Sequence, residues 1–205
     1  MGKDDREPQQ RRMGPEGSDT WHAMLDSAEA ILREDGHAAL TSRHVAERTG
    51  VKQRLVYYYF RTMDDLVTSL FRRMAERELA RLQVAAAGER PLRSLWEIHL
   101  KSTDSRLIVE FMALANRIEG LKREVVAFIV ASREIETAVL ARAMDRASQV
   151  SRLGPAELSL TITSLALLLS RESQLGVDAG HARTIAVLEA FLEELETAAA
   201  RDPGP

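Results

Sequence analysis

Apolar residues recur at helical spacing along most of the chain, and no segment shows the strict alternation of a half-buried strand. Met24, Leu25, Ala28, Ile31 and Leu32 form the first stripe, which starts after Asp19 or Thr20 and stops at Gly36, placed as a C′ residue. Two short helical patterns then flank a break at Thr49-Gly50-Val51. Thr41 caps the first of them, and Val45 and Ala46 give it an inner face. The second runs from about Lys52 to Tyr59, with Val56 and Phe60 as anchors one turn apart. Gly50 supplies the freedom that a tight turn between helices needs. Thr62 stands three residues before Asp65, a capping pattern for a fourth helix. Its lines Leu66, Leu70, Met74 and Val67, Phe71 lead on towards Ala87.

The pattern stays helical beyond the break at Gly88 to Pro91. Leu92, Leu95, Trp96 and His99 share a face of a fifth helix. Leu107, Ile108, Phe111, Met112 and Ala115 do so in a sixth. After a joint at Arg117 to Gly120, a long seventh helix reaches about Ser148, striped by Leu121, Val125, Phe128, Ser132, Ile135 and Val139. Pro155 suits the first turn of an eighth. There Leu158, Ile162, Leu165 and Leu169 line one side, and Leu160, Leu167, Leu168 and Leu175 another. A break at Gly176 to Gly180 precedes a ninth helix, from about Ala182 to Ala200, carrying Ile185, Leu188, Phe191, Leu192 and Leu195. The expected fold is all-α with about nine helices. It comprises a disordered arm over 1–19, a three-helix helix-turn-helix unit over 20–66, a larger helical body over 67–200, and a frayed tail over 201–205.

Composition narrows the chemistry. A chain of 205 residues without cysteine has no disulfide, thiolate metal site or thiol nucleophile. Its five histidines, at 22, 37, 44, 99 and 181, include no pair one helical turn apart. No phosphate-cradling glycine loop or nucleophile elbow is present. Neither enzyme activity nor a metal or cofactor is therefore expected. The N-terminus lacks the apolar core of a signal peptide, and the apolar run at Leu165 to Leu169 is too short to span a bilayer. A soluble cytoplasmic protein is the simplest expectation, with no membrane partner.

The net charge of −3 argues against general affinity for polyanions, so any basic surface must be local. From Arg43 to Arg61 the chain carries Arg43, Arg48, Lys52, Arg54 and Arg61 against Glu47 alone. Phosphates favour such donors through counterion release. Gln53 and Arg54 occupy the first turn of the second short helix, where side chains of a groove-docked helix reach base edges. Glutamine pairs bidentately with adenine and arginine with guanine, and tyrosine hydroxyls suit phosphates. A basic face over packed aromatics would explain the charge alone. The ordered set of helix, glycine turn, helix and Tyr57-Tyr58-Tyr59-Phe60 favours double-stranded DNA.

Thr20 to Leu66, about a quarter of the chain, resembles the DNA-binding domain of the tetracycline-repressor (TetR) family of transcriptional regulators. The resemblance rests on Leu25-Asp26-Ser27-Ala28, Gly36, Ala39-Leu40-Thr41, Val45-Ala46, Gly50-Val51, Leu55 to Phe60 and Asp64-Asp65-Leu66. It implies that Thr41, Ser42 and Arg43 approach DNA from helix 2, and Lys52, Gln53, Arg54, Tyr57, Tyr58 and Tyr59 from helix 3. Lys52, Leu55 and Met63 depart from the family's usual Ser-type cap, Thr and Lys, with Arg61 placed to compensate for the last. The resemblance further implies that 20–66 is a helix-turn-helix DNA-binding domain and 67–200 an effector-binding and dimerisation domain. It implies repression as the commoner mode and a small-molecule effector held among helices 4 to 8; a homodimer in turn implies a palindromic operator.

Leu158, Ile162, Leu165 and Leu169 with Ile185, Leu188, Leu192 and Leu195 are the expected pairing surface, a four-helix bundle with two helices from each chain. Trp96, His99, Phe111, Met112, Asn116, Phe128, Ser132 and Arg171 are the candidate effector contacts, polar groups interrupting or bordering apolar stripes. Their apolar setting implies a mostly apolar effector. A helical protein-interaction module without specific DNA binding is the alternative reading, and Leu55 and Met63 are its chief support.

Overall fold

The computed structural model describes residues 16–100, 105–146 and 152–201. Within them lie nine α-helices and no strand: α1 (Asp19–Glu34), α2 (Ser42–Thr49), α3 (Gln53–Tyr59), α4 (Met63–Ala86), α5 (Pro91–Leu100), α6 (Ser105–Ala115), α7 (Glu119–Arg146), α8 (Pro155–Gln174) and α9 (His181–Arg201). A short 3₁₀ turn, His37–Ala39, which the periodicity did not reveal, lies between α1 and α2. Most of the arm expected over 1–19, with Arg11 and Arg12 as possible minor-groove contacts, lies outside the described residues, as does the tail over 202–205.

The helix boundaries follow local chemistry. Ser18 caps α1 by accepting from the amide of Trp21, one residue earlier than the spacing suggested. Gly36 and Gly50 follow α1 and α2 with φ of 78° and 76°, a conformation that costs glycine little and other residues more. Thr62 and Asp65 form the reciprocal capping box at α4, each side chain bonding the other's backbone amide at 3.0 and 3.1 Å. Thr62→Ala should lower stability by about 1 kcal/mol, read as a fall in the denaturation midpoint with unchanged slope. Pro155 opens α8 at its first turn, where its missing amide would have had no partner anyway.

The buried side chains form two cores. The first joins Met24, Leu25, Ile31 and Leu32 of α1 to Val45, Val56 and Phe60, and extends into Leu66 and Leu70 of α4, Phe111 of α6 and Leu121 of α7. The second collects Leu82 of α4, Leu95 and Trp96 of α5, Val139 and Leu140 of α7, Ile162 and Leu169 of α8, and Leu192 and Leu195 of α9. The first core thus continues past residue 66. Helices α4 and α7 enter both cores, so a shift of either is felt in the N-terminal helices and in the body alike.

An ion cluster reinforces the junction of α1 with α4. Glu29 accepts from Arg33 at 2.9 Å, Arg73 at 3.1 Å and Arg77 at 2.8 Å. Burial alone would raise the Glu29 carboxyl, but bonds and charge from Arg33 and Arg77 outweigh it and hold the group below the ordinary range. A lowered acid stabilises the fold above its unfolded pKa, and that gain vanishes as pH falls through the folded value. Glu29→Gln should therefore destabilise by about 1–3 kcal/mol at neutral pH. The gap from wild type should close below about pH 4 in melting experiments.

One expectation is corrected here. Leu158, Ile162, Leu169, Leu192 and Leu195 are buried in the second core of a single chain, while Leu165, Ile185 and Leu188 pack partly buried against it. Five of those eight side chains are thus taken up by the chain's own core, and the other three keep part of their surface. The second line of α8 remains exposed, including Leu168 at 42% and Leu175 at 75%, as does Val187 of α9 at 63%.

Candidate nucleic-acid interface

Helices α2 and α3 are locked together at their first turns. Ser42 is buried, and its hydroxyl accepts from Gln53 Nε2 at 2.8 Å and bonds the Tyr57 hydroxyl at 3.0 Å. The serine expected to approach DNA is therefore turned inward as the link between the helices. Tyr59 is likewise buried, at 9% exposure, and meets Tyr58 edge to face at 5.4 Å. With Val56 it forms the inner side of α3, as the helical period requires of residues three apart. Of the residues expected to meet DNA, those two are turned into the protein.

The outward face of α3 keeps the rest. Lys52, Gln53 and Arg54 are exposed at its start, Tyr57 and Tyr58 lie about half open, and Arg61 is exposed just beyond. No ion pair among the described residues engages Lys52, Arg54 or Arg61, so their charges face solvent. Lys52 makes no side-chain cap, as its chemistry dictates. Thr41 caps α2 by accepting from the His44 amide at 3.2 Å. Arg43 is exposed and holds Glu47 at 2.8 Å. That solvated pair contributes little to stability.

Arg48 serves a different purpose. Two bonds of 2.6 and 2.7 Å to Glu34 tie α2 to the end of α1. Those bonds lower the Glu34 carboxyl below its ordinary range. Thr49 adds a bond to Ser27 of α1 at 2.8 Å. Leu55, a departure from the usual phosphate-binding Thr, packs partly buried against the first core. The basic, aromatic face of α3 is thereby held rigidly on α1 and α2.

A second site lies in the body. A cleft of roughly 550 Å³ opens among α1, α4, α6, α7 and α8. Phe71, Phe111 and Phe128 form one wall, with ring centroids 5.1 and 6.0 Å from Phe71. Met112, Ser132 and His99 also line it, so five of the eight effector candidates read from the sequence share this cleft. Trp96 instead lines an adjoining cavity of about 20 Å³, room for about one water. Its Nε1 is buried without a hydrogen-bond partner among the described residues. Asn116 and Arg171 are exposed and do not line the cleft.

Ser132 bonds the carbonyl of Ile129 at 3.1 Å, the ordinary behaviour of a helical serine. The residue missed from sequence is Glu136, which lines both cavities at 5% exposure. Its signal was its position one helical turn beyond Ser132 on the line from Phe128. Glu29, Arg33, Arg77, Glu78 and Arg81 form a charged rim that also escaped notice.

Among the described residues, no group of His, Asp or Glu side chains gathers as a metal site, and no helix is long and apolar enough to cross a membrane.

The family model described as bacterial regulatory proteins, tetR family, matches residues 24–70, from α1 to the first turns of α4. A putative transcriptional regulator from Pseudomonas aeruginosa PAO1 is 19% identical, with 88% of this chain and 92% of that one covered and a TM-score of 0.68. A TetR transcription regulator from Haloarcula marismortui ATCC 43049 is 23% identical over 89% and 94% of the two chains, with a TM-score of 0.64. A putative TetR-family transcriptional regulator from Rhodococcus sp. is 20% identical over 89% and 100%, with a TM-score of 0.68. At these identities the likeness is one of fold. No curated protein matches the chain. The chain thus matches the tetR family model across its helix-turn-helix segment, and the body that carries this segment has the same fold as these regulators.

Proposed function

We propose that the protein is a homodimeric repressor that leaves a palindromic operator when a small, mostly apolar effector fills the cleft of its body. The observation that supports this reading is the outward face of α3, on which Lys52, Arg54 and Arg61 stand exposed without an ion-pair partner among the described residues, beside the half-open Tyr57 and Tyr58. Arg54 and Gln53 are assigned to base edges, with Gln53 held in place through Ser42. Lys52, Arg61, Thr41, Arg43, Tyr57 and Tyr58 are assigned to phosphates. A reader of chromosomal DNA works in the cytoplasm.

Pairing is assigned to the exposed side of α8 and α9. Leu168, Leu175 and Val187 are apolar side chains that a single chain leaves in water, and a second copy would cover them. Two readers related by a twofold axis fit half-sites separated by whole turns of the duplex. Effector coupling is assigned to α4, which is lined by the cleft, packed in both cores and joined directly to α3 through Phe60 to Thr62. An effector that binds better at a different reader spacing lowers DNA affinity by its preference between the two states.

Leu168→Glu tests the pairing. Sedimentation with a palindromic duplex should give two protomers per duplex for the wild type. The variant should shift towards monomer and bind at least about tenfold more weakly, since a charge placed in an apolar contact costs more than 1.4 kcal/mol. A wild-type monomer bound one to one would overturn the dimer.

A further inference from the structure

We propose that the cleft recognises an elongated lipophilic organic cation, with Glu136 as the anchor for its positive group. This inference rests on the effector reading of the cleft given above. Glu136 is buried at 5% exposure, and its two oxygens meet His99 Nε2 at 2.8 Å and Ser159 Oγ at 2.6 Å. Serine carries no charge, and histidine is charged only when protonated. No lysine or arginine pairs with this carboxylate among the described residues. A buried carboxylate without a fixed counter-cation is costly, and a ligand cation beside it offsets that cost.

The rim has the opposite character and is already matched. Arg33 and Arg77 bind Glu29 at 2.9 and 2.8 Å, and Arg81 binds Glu78 at 2.8 Å. Arg133, which also lines the cleft, is exposed to solvent. Within the cleft, therefore, the buried charged group lacking a fixed opposite charge among the described residues is Glu136. Phe128, Ser132 and Glu136 follow one another along α7, a backbone rise of about 12 Å from the first to the last at 1.5 Å per residue. An apolar body against Phe71, Phe111 and Phe128 and an ammonium group at Glu136 match those two ends.

Three probes with one tail separate the possibilities: decylammonium, 1-decanol and decanoate, each titrated calorimetrically below its aggregation concentration. Decylammonium should bind the wild type at least about tenfold more tightly than decanol, as expected for a hydrogen bond between charged groups in a buried site. Glu136→Gln should erase that preference while leaving decanol affinity unchanged. Decanoate binding most tightly would overturn the proposal and move recognition to the rim arginines. Survival of the ammonium preference in Glu136→Gln would also overturn it. The ranking on the wild type decides the sign of the ligand even if the variant folds poorly. Binding of none of the three to the wild type would instead remove the effector reading of the cleft, and this proposal with it.

Discussion

Replacing Phe60 by alanine should destabilise the protein by about 3–5 kcal/mol, the range for removing a large aromatic side chain from a packed core. Phe60 is 2% exposed, caps the C-terminal end of α3, and stacks against Trp21 of α1 with ring centroids 6.1 Å apart. It therefore sets the angle at which α3 leaves α1 and the point at which the chain turns into α4. Losing it leaves a cavity where three helices meet. In urea the midpoint should fall with little change in slope, and duplex binding should fall in proportion to the unfolded fraction. A loss under about 1 kcal/mol would mean that the first core closes without this ring, against the packing described here.

Arg54→Ala should weaken binding to the preferred duplex by about 1–3 kcal/mol, or about five- to 150-fold. Arg54 is exposed in the first turn of α3 and has no ion-pair partner among the described residues, so its loss costs the fold almost nothing. The effect should be confined to the preferred sequence, with relaxed discrimination at one base pair, because arginine reads guanine through two bonds. Tyr57→Ala differs in kind. It removes the hydroxyl that bonds Ser42 and half of the link between α2 and α3, so affinity should fall for every duplex. Fluorescence polarisation against a set of single-base variants of the preferred duplex separates the two behaviours. Equal losses for Arg54→Ala on all duplexes would reassign Arg54 to phosphate contact.

The helical skeleton was legible because its signals are local. Gly36, Gly50, the Thr62–Asp65 box and Pro155 each specify a helix end through a single backbone requirement, and all four stand where the chemistry puts them. The exposed basic face of α3 was partly legible for the same reason: charge and position along α3 are visible in sequence. What a side chain does at a helix crossing is not visible. Ser42 and Tyr59 have polar groups suited to phosphate, yet the approach of α2 to α3 turns one inward and the period of α3 buries the other.

The body was harder to read for a physical reason. Helix α8 has two apolar faces, and periodicity cannot say which one a neighbouring helix of the same chain will cover. The line through Leu158, Ile162 and Leu169 went to the interior, which leaves Leu168 and Leu175 outside. Glu136 was hidden because a glutamate in a helix ordinarily faces water, and only the convergence of α5, α7 and α8 buries it with His99 and Ser159. Asn116 and Arg171 border apolar stripes in sequence but stand on exposed surface.

The most direct test of the central claim is the salt dependence of binding to a fixed duplex, measured for the wild type and for Lys52→Ala/Arg61→Ala. If the face of α3 carries the phosphate contacts, log affinity should fall linearly with log salt. The double variant should then show a slope shallower by about 2, near 0.9 for each phosphate charge removed. An unchanged slope, or a wild type with no salt-dependent binding to titrate, would contradict the assignment of α3 as the DNA-reading helix.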